Sequence, residues 1–411
     1  MKIQLLAGAA CAALLMPIAP GFAATSPQAV RFAQQPSDRA PASFYASRHG
    51  APLWLRSGPE SNAARELIGV LQRAPLDGFS SGPALAAQAN GLLARARSGD
   101  VAALANADRL LTTAWVMYVQ ALQRPPAGMS FADGWSRPRQ QSAHEILQRA
   151  AAASSLAAHV RTVSNVNPIY AQIRDAAWAS GASGDPRVRA SLDRVRATPF
   201  QDKYVIVDAA SARLWMIEDG RIVDSMKVIV GKPSAQTPTL ASTIYYATLN
   251  PYWHVTPDLV RTIMAPRVLK DGMPYLTERG YQVVSKFGAD AQILPPDSID
   301  WKAVAAGEVE VYVRQLPGPA NSLGNFKFNL PDGDGIYLHD TPKKELFAQD
   351  ARNLSHGCVR LEDAQRLARW LLGKDPPAAS VPEEHILLPR PVPITISYLD
   401  PRSQTQLAGL Q

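Results

Sequence analysis

Cysteine is the residue this chain has least of: Cys11 and Cys358 are the two present in 411 residues. That excludes a disulfide framework as the source of stability. Beyond the first two dozen residues there is no apolar run long enough to span a bilayer. Charge of one sign is not massed anywhere either. The 42 Lys and Arg outnumber the 35 Asp and Glu, but the arginines are scattered, with no polybasic block and no basic stripe interleaved with aromatics. Nucleic acid is therefore excluded as the natural partner. The mildly basic balance suits a surface facing an anionic polymer as well as it suits ordinary solubilising charge. Among the few histidines, His49, His144 and His159 lack metal-ligand spacing and read as structural or surface residues.

What is present begins with Met1-Lys2, a short basic start. An uncharged, mostly apolar stretch from Ile3 to Pro20 follows, and then the small-residue end Gly21-Phe22-Ala23-Ala24. This order predicts a secretory signal peptide, residues 1–23, cleaved after Ala23. Pro17 and Pro20 and the cleavage site argue against a membrane anchor, and Gly8-Ala9-Ala10 before Cys11 is only loosely lipobox-like. Export would remove Cys11 and leave Cys358 as the single thiol in a compartment where cysteines normally pair. Such a thiol is either buried and inert or reactive.

The remaining chain predicts an α+β protein of two domains. Residues 24–41, rich in Pro, Ser, Gln and Ala, form a flexible lead-in. Residues 42–199 read as an all-helical scaffold. Leu104, Ala107, Leu111, Trp115, Tyr118 and Leu122 share one helical face, and helices are expected over Ala143–Val163, Ile169–Ala179 and Pro186–Arg196. The period then shortens. Residues 200–399 read as a mainly-β domain of sandwich or barrel type. Short runs such as Tyr204-Val205-Ile206-Val207, Arg213–Ile217, Val223–Val230 and Val309–Val313 alternate with turn signals, including Asp219-Gly220 between two of them. Later strands are expected at Phe326–Leu330, Gly335–Leu338, Ile386–Leu388 and Ile394–Tyr398, with one helix at Glu362–Leu372. A Pro-, Gly- and charge-rich insertion at about 253–323 reads as a capping loop, and 400–411 as a tail.

The chemistry gathers at Ser355-His356-Gly357-Cys358-Val359-Arg360, which follows Tyr337-Leu338-His339-Asp340 by less than twenty residues. A thiol attacks as thiolate and needs a base or a field that lowers its pKa. His339, at a strand end, is the candidate base. The Asp340 carbonyl or carboxylate is the candidate acceptor for its other nitrogen. Gly357 lets the chain approach a substrate and present the N–H groups of Gly357 and Cys358 to an oxyanion. Arg360 would anchor the turn or hold a carboxylate. Two alternatives stay open on the residues alone. His339, Asp340, His356 and Cys358 would have to form a zinc set of unfamiliar spacing, or Cys358 is an inert buried thiol beside coincidental histidines.

The sequence resembles the L,D-transpeptidases with a YkuD-type catalytic domain, whose pattern is a His followed by Ser-x-Gly-Cys-x-Arg. His339, Ser355, Gly357, Cys358 and Arg360 fill it. Tyr337–Pro342, Leu346-Phe347, Asn250-Pro251-Tyr252-Trp253, Val228–Gly231 and Gln315–Pro319 are similar to the large YcbB-like subgroup, in which a helical scaffold precedes the catalytic domain and a capping loop is inserted into it. The resemblance implies that Cys358 attacks the carbonyl of meso-diaminopimelate in a peptidoglycan tetrapeptide stem, expels D-Ala and passes the acyl group to an amine as a 3→3 crosslink. His339 would be the proton donor and acceptor. Asp340, Ser355, His356, Arg360, Tyr337 and Trp253 would orient substrate. It also implies a periplasmic location in a Gram-negative bacterium, acylation by carbapenems, no cofactor and no metal. The partners would be stem peptides and, through the scaffold, envelope proteins. A hydrolase on the same site and a non-catalytic wall scaffold are the competing readings. One departure is that no stretch resembles the small peptidoglycan-binding domain such proteins carry between the two parts.

Overall fold

Asp108 organises the N-terminal half. It lies on the longest helix, Val101–Leu122, whose first turn is capped by Asp100 accepting the Ala103 N–H. Leu111, Trp115, Tyr118 and Leu122 are buried on one face of that helix, as their spacing predicts. The buried Asp108 carboxylate accepts the N–H groups of Leu53, Trp54 and Leu55 at 2.8–2.9 Å and the Tyr45 hydroxyl. The Pro52–Leu55 segment, which has no helix or strand to satisfy its backbone, is thereby satisfied by a side chain. The computed structural model describes residues 39–134, 136–197, 202–288, 290–331 and 335–400. The expected signal peptide, most of the expected lead-in, Phe200 where the period is expected to change, residues 332–334 and the expected tail from 401 lie outside the described residues.

Helices Pro168–Ala179 and Pro186–Val195 fall where expected. The single helix expected over Ala143–Val163 is two, Ala143–Ala152 and Leu156–Asn165. Ala153 is extended, and the Ser155 side chain accepts the Ala158 N–H, so a new cap competes with continuation of the first helix. Within the described residues, 127–197 are also not purely helical. Strand β1 (Ser130–Phe131) pairs in parallel with the later sheet, Ser130 opposite Leu240.

The C-terminal half is built on strands β2 (Lys203–Asp208), β3 (Arg213–Glu218), β4 (Arg221–Gly231) and β5 (Leu240–Leu249). Asp219 and Gly220 between β3 and β4 both have positive φ, 49° and 72°, the conformation a two-residue hairpin turn requires. The insertion supplies β6 (Trp253–Val255), β7 (Tyr281–Val284), β8 (Ile293–Leu294) and β9 (Tyr312–Gln315). The chain then returns through β10 (Phe326–Asn329), β11 (Tyr337–His339), β12 (Asn353–Ser355), β13 (Val359–Leu361) and β14 (Glu384–Ser397). The order β5-β10-β11-β13-β4-β3-β2-β14 closes on itself, because β14 pairs with β2 on one side and β5 on the other. Closure removes the exposed edges that an open sheet would leave. The two runs expected at Ile386–Leu388 and Ile394–Tyr398 belong to this one long strand, whose register shifts between Leu387 and Val392.

Strands β2 and β3 are apolar on both faces. Val205, Val207, Leu214 and Met216 point into the barrel core, with Leu338, Val359 and the helix Ala364–Leu372. Tyr204, Ile206, Trp215 and Ile217 join the core of the helical half instead. The insertion is a folded lobe rather than a loop. Its four strands run β6-β9-β7-β8, and Val255, Val260, Met264, Val283, Trp301 and Val313 form its own core. The run expected to give a barrel strand at Val309–Val313 supplies β9 to this lobe, starting at Tyr312. No helix among the described residues is long and apolar enough to cross a membrane.

Candidate active site

Strands β11 and β13 are parallel neighbours, with Leu338 opposite Val359 and His339 opposite Arg360. Leu338 and Val359 are buried in the barrel core. Alternation along each strand therefore sends Tyr337, His339 and Arg360, with Cys358 just ahead of β13, to the other face. Adjacent strands lie about 4.8 Å apart, so this pairing alone brings the loop cysteine level with Tyr337 and one step from His339. A polar row extends from there across five strands. His385 is opposite Thr248, Thr248 opposite Lys327, Lys327 opposite His339, and His339 opposite Arg360.

His339 is buried, 5% exposed, and its Nδ1 lies 2.6 Å from the Asp340 carbonyl oxygen. A carbonyl only accepts, so Nδ1 carries the proton and Nε2 the lone pair. Burial, followed by the neighbouring Arg360 guanidinium, pushes its pKa down to about 3, so the imidazole is neutral at physiological pH. Of the two acceptors considered for it, the carbonyl is the one used. The Asp340 carboxylate turns away, accepting from Lys344 Nζ at 2.6 Å and the Asn325 N–H at 3.0 Å. Gly324, at φ 58°, backs onto that carboxylate, and a Cβ there would lie 2.4 Å from Oδ2.

Cys358 is half-buried, with Sγ 3.9 Å from the Gly335 carbonyl. The Tyr337 hydroxyl hydrogen-bonds to it. Burial, then the charge of an ionised Cys358, then that hydrogen bond raise the phenol well above its ordinary pKa, so it remains a donor. Trp253, the first residue of β6, bonds the same hydroxyl, which ties the inserted lobe to the thiol. Arg360 is half-buried, and its Nε has no hydrogen-bond partner among the described residues. Burial lowers its pKa and an ionised Cys358 opposes that shift.

The loop before Cys358 is braced from within. Ser355 Oγ donates to the Cys358 carbonyl at 2.6 Å and accepts the Gly357 N–H at 3.2 Å. This corrects the expectation that the Gly357 N–H faces an oxyanion, because Ser355 already takes it. What Gly357 contributes is its backbone at φ 125° with Ile336 against it, where a Cβ would sit 3.2 Å from Ile336 Cδ1. His356 is exposed, and its Nε2 lies 2.9 Å from Lys232 Nζ. Burial, then Lys232 and Arg360, lower its pKa.

Three participants escape a sequence reading. Thr237 Oγ1 donates to the Gly357 carbonyl at 2.6 Å and accepts the Gly231 N–H at 2.9 Å, fastening the loop to the end of β4. Lys232 contacts His356. Lys327 Nζ stands 4.5 Å from the centroid of the Tyr337 ring. None lies near the motif in sequence. The one available signal was a lysine between two strand phenylalanines, Phe326-Lys327-Phe328, which puts a cation mid-strand.

A closed β-barrel presenting a loop cysteine, a neutral strand-end histidine and a phenol donor on one outer face defines the class: a barrel with a cysteine site suited to acyl chemistry. Residues 202–394 match the family described as the L,D-transpeptidase catalytic domain, YkuD, and residues 39–176 match the Scaffold domain family. The chain thus carries a YkuD-family L,D-transpeptidase catalytic domain behind a scaffold domain. A Haemophilus influenzae protein provisionally named an L,D-transpeptidase is 30% identical over 339 residues, spanning 80% of this chain and 66% of that one. This chain therefore spans about two thirds of that relative's length. Among solved structures, an L,D-transpeptidase from Mycobacterium smegmatis matches at 16% identity and TM-score 0.24, covering 47% of this chain and 58% of that one. The catalytic domain of an E. faecium L,D-transpeptidase acylated by ertapenem matches at 14% identity and TM-score 0.25, covering 48% and 99%. Those likenesses are too slight overall to bear on the chemistry.

Proposed function

We propose that this protein is a peptidoglycan L,D-transpeptidase with Cys358 as nucleophile. The observation that carries the reading is the convergence of Cys358, Tyr337, His339 and Arg360 on one barrel face under the inserted lobe. In the first half-reaction the Cys358 sulfur attacks the carbonyl of meso-diaminopimelate in a tetrapeptide stem. A thioester forms, and the bond to D-Ala breaks. The sulfur attacks as thiolate, and the proton that leaves on the D-Ala amine is drawn from solvent and relayed through His339 Nε2. In the second half-reaction an amine attacks the thioester, yields its proton through His339, and releases the sulfur as a 3→3 crosslink forms. Tyr337 donates to the sulfur or to the developing oxyanion, and the Arg360 guanidinium, within electrostatic reach of Cys358, suits a stem carboxylate. Asp340 holds His339 through its carbonyl, and Ser355 braces the loop. The signal-peptide pattern supports export to the periplasm. Carbapenems, whose strained carbonyl presents the same target to a thiolate, are expected to acylate Cys358.

The test is incubation of residues 24–411 with disaccharide-tetrapeptides, with products read by mass spectrometry. Crosslinked dimer with release of D-Ala supports the reading, and Cys358→Ala should abolish it. Tripeptide monomer alone would make the protein a hydrolase on the same site. Crosslinks formed by Cys358→Ala would sink the cysteine assignment altogether.

A further inference from the structure

We infer that Lys327 is a positioning residue whose ammonium supplies the standing positive charge that keeps Cys358 ionised. The use made of the thiolate rests on the transpeptidase reading, but the ionisation itself does not.

Four observations lead there. First, Lys327 sits at the centre of the polar row. Phe326 and Phe328 point into the barrel core, so the lysine between them faces the Cys358 side of the sheet. Second, its Nζ lies over the face of Tyr337 at 4.5 Å, while the hydroxyl edge of the same ring bonds to Cys358. A cation over the ring strengthens the phenol as a donor and lies on the sulfur side of the site. Third, a half-buried lysine at mid-sheet costs desolvation free energy that solvent-exposed positions avoid. Burial accordingly lowers its pKa, and the charges of Glu383 and of an ionised Cys358 oppose that. Interaction between two titrating groups is mutual, so a thiolate that holds Lys327 protonated is itself held deprotonated by Lys327. Fourth, His339 cannot be the counter-ion. With Nδ1–H on a carbonyl and a pKa near 3, it is neutral when the site is at rest.

The charged and titratable groups around the pair are few. Tyr337 and Arg360 face Cys358 from β11 and β13, and His339 lies opposite Lys327, whose charge helps hold it neutral. Glu383 faces Lys327 from the start of β14, with His254 Nδ1 of the inserted lobe 3.9 Å from that carboxylate. His385 approaches through Thr248, its Nδ1 3.0 Å from Oγ1. Arg360 is the other cation that an ionised Cys358 reaches. Once a stem carboxylate engages it, Lys327 is the positive charge left to the sulfur.

Cys358 is the sole cysteine after residue 11, so its alkylation reads out directly. Residues 24–411 would be treated with iodoacetamide across pH 5–9, with no substrate present. The wild-type rate should reach half its plateau below the ~8.5 of a free thiol. Lys327→Met should raise that midpoint by about one pH unit, a roughly tenfold slower alkylation at pH below it, and Lys327→Arg should restore most of the loss. Circular dichroism and melting confirm folding, and Lys327→Gln serves as the second variant should the methionine one misfold. A folded Lys327→Met or Lys327→Gln with the wild-type midpoint would overturn the inference, as would a wild-type midpoint at the free-thiol value. A low wild-type midpoint that rises in Lys327→Met, in a protein that forms no crosslinks, would sustain the inference and defeat the transpeptidase reading instead.

Discussion

At the residue scale the most informative side chain is His339. Burial and then Arg360 keep it neutral to about pH 3, against the opposing pull of the Asp340 carbonyl on its Nδ1–H. In the unfolded chain it titrates near 6.5. Between those two values the unfolded state binds the extra proton and the folded state does not, so stability falls as pH falls through that window. His339→Asn removes the titration. Urea denaturation at pH 4.5 and pH 7 should show the wild type losing more stability on acidification than the variant, by on the order of 1 kcal/mol per pH unit. Equal losses would mean that the histidine is protonated in the folded protein. Cys358, His339 and Gly357 could be singled out in the sequence because a cysteine, a histidine and a glycine lie within one short window. Lys327 and Thr237 were not, because strand pairing and a loop contact, not chain proximity, bring them to the sulfur.

At the element scale two structures set the geometry of the site. One is the β11–β13 pair, where a slip of a single residue would send Tyr337, His339 and Arg360 into the core. The other is the inserted lobe, read from its composition as a loop, which has its own sheet and core. Trp253 is the lobe residue that bonds the Tyr337 hydroxyl. Trp253→Phe keeps the ring and deletes the indole N–H, so it should raise KM for tetrapeptide about five- to tenfold, the value of one neutral hydrogen bond, with the fold intact. Steady-state kinetics would check this, and an unchanged KM would free the lobe of that role. In the scaffold, Asp108→Ala leaves three buried N–H groups without an acceptor. It should cost about 3 kcal/mol or more in a thermal or urea melt, since each buried orphaned donor carries a desolvation penalty.

At the scale of the whole molecule the two halves share one core. Tyr204, Ile206, Trp215 and Ile217 pack among the scaffold helices, Arg194 donates to the Tyr398 carbonyl at 2.7 Å, and β1 lends a strand to the barrel sheet. The intact chain should therefore melt in a single calorimetric transition. Residues 202–400 alone would expose the apolar outer faces of β2 and β3 and should aggregate in size-exclusion chromatography. A soluble, monomeric fragment with native circular dichroism would show the interface to be dispensable.

The sequence by itself determined the helical-then-β order, the Asp219-Gly220 hairpin and the Cys358 motif with its histidine. Each is a local pattern: helical period, strand alternation, a turn dipeptide, a short reactive window. Tertiary structure decided the rest. Barrel closure through β14, the double-faced burial of β2 and β3, the fold of the lobe, the neutral state of His339 and the approach of Lys327 all depend on residues far apart in the chain. The apolar run Tyr204–Val207 looked like a buried strand in the sequence, but only the packed helices reveal what lies against its second face. The Gly357 N–H looked available for an oxyanion, but only the folded loop turns Ser355 Oγ toward it.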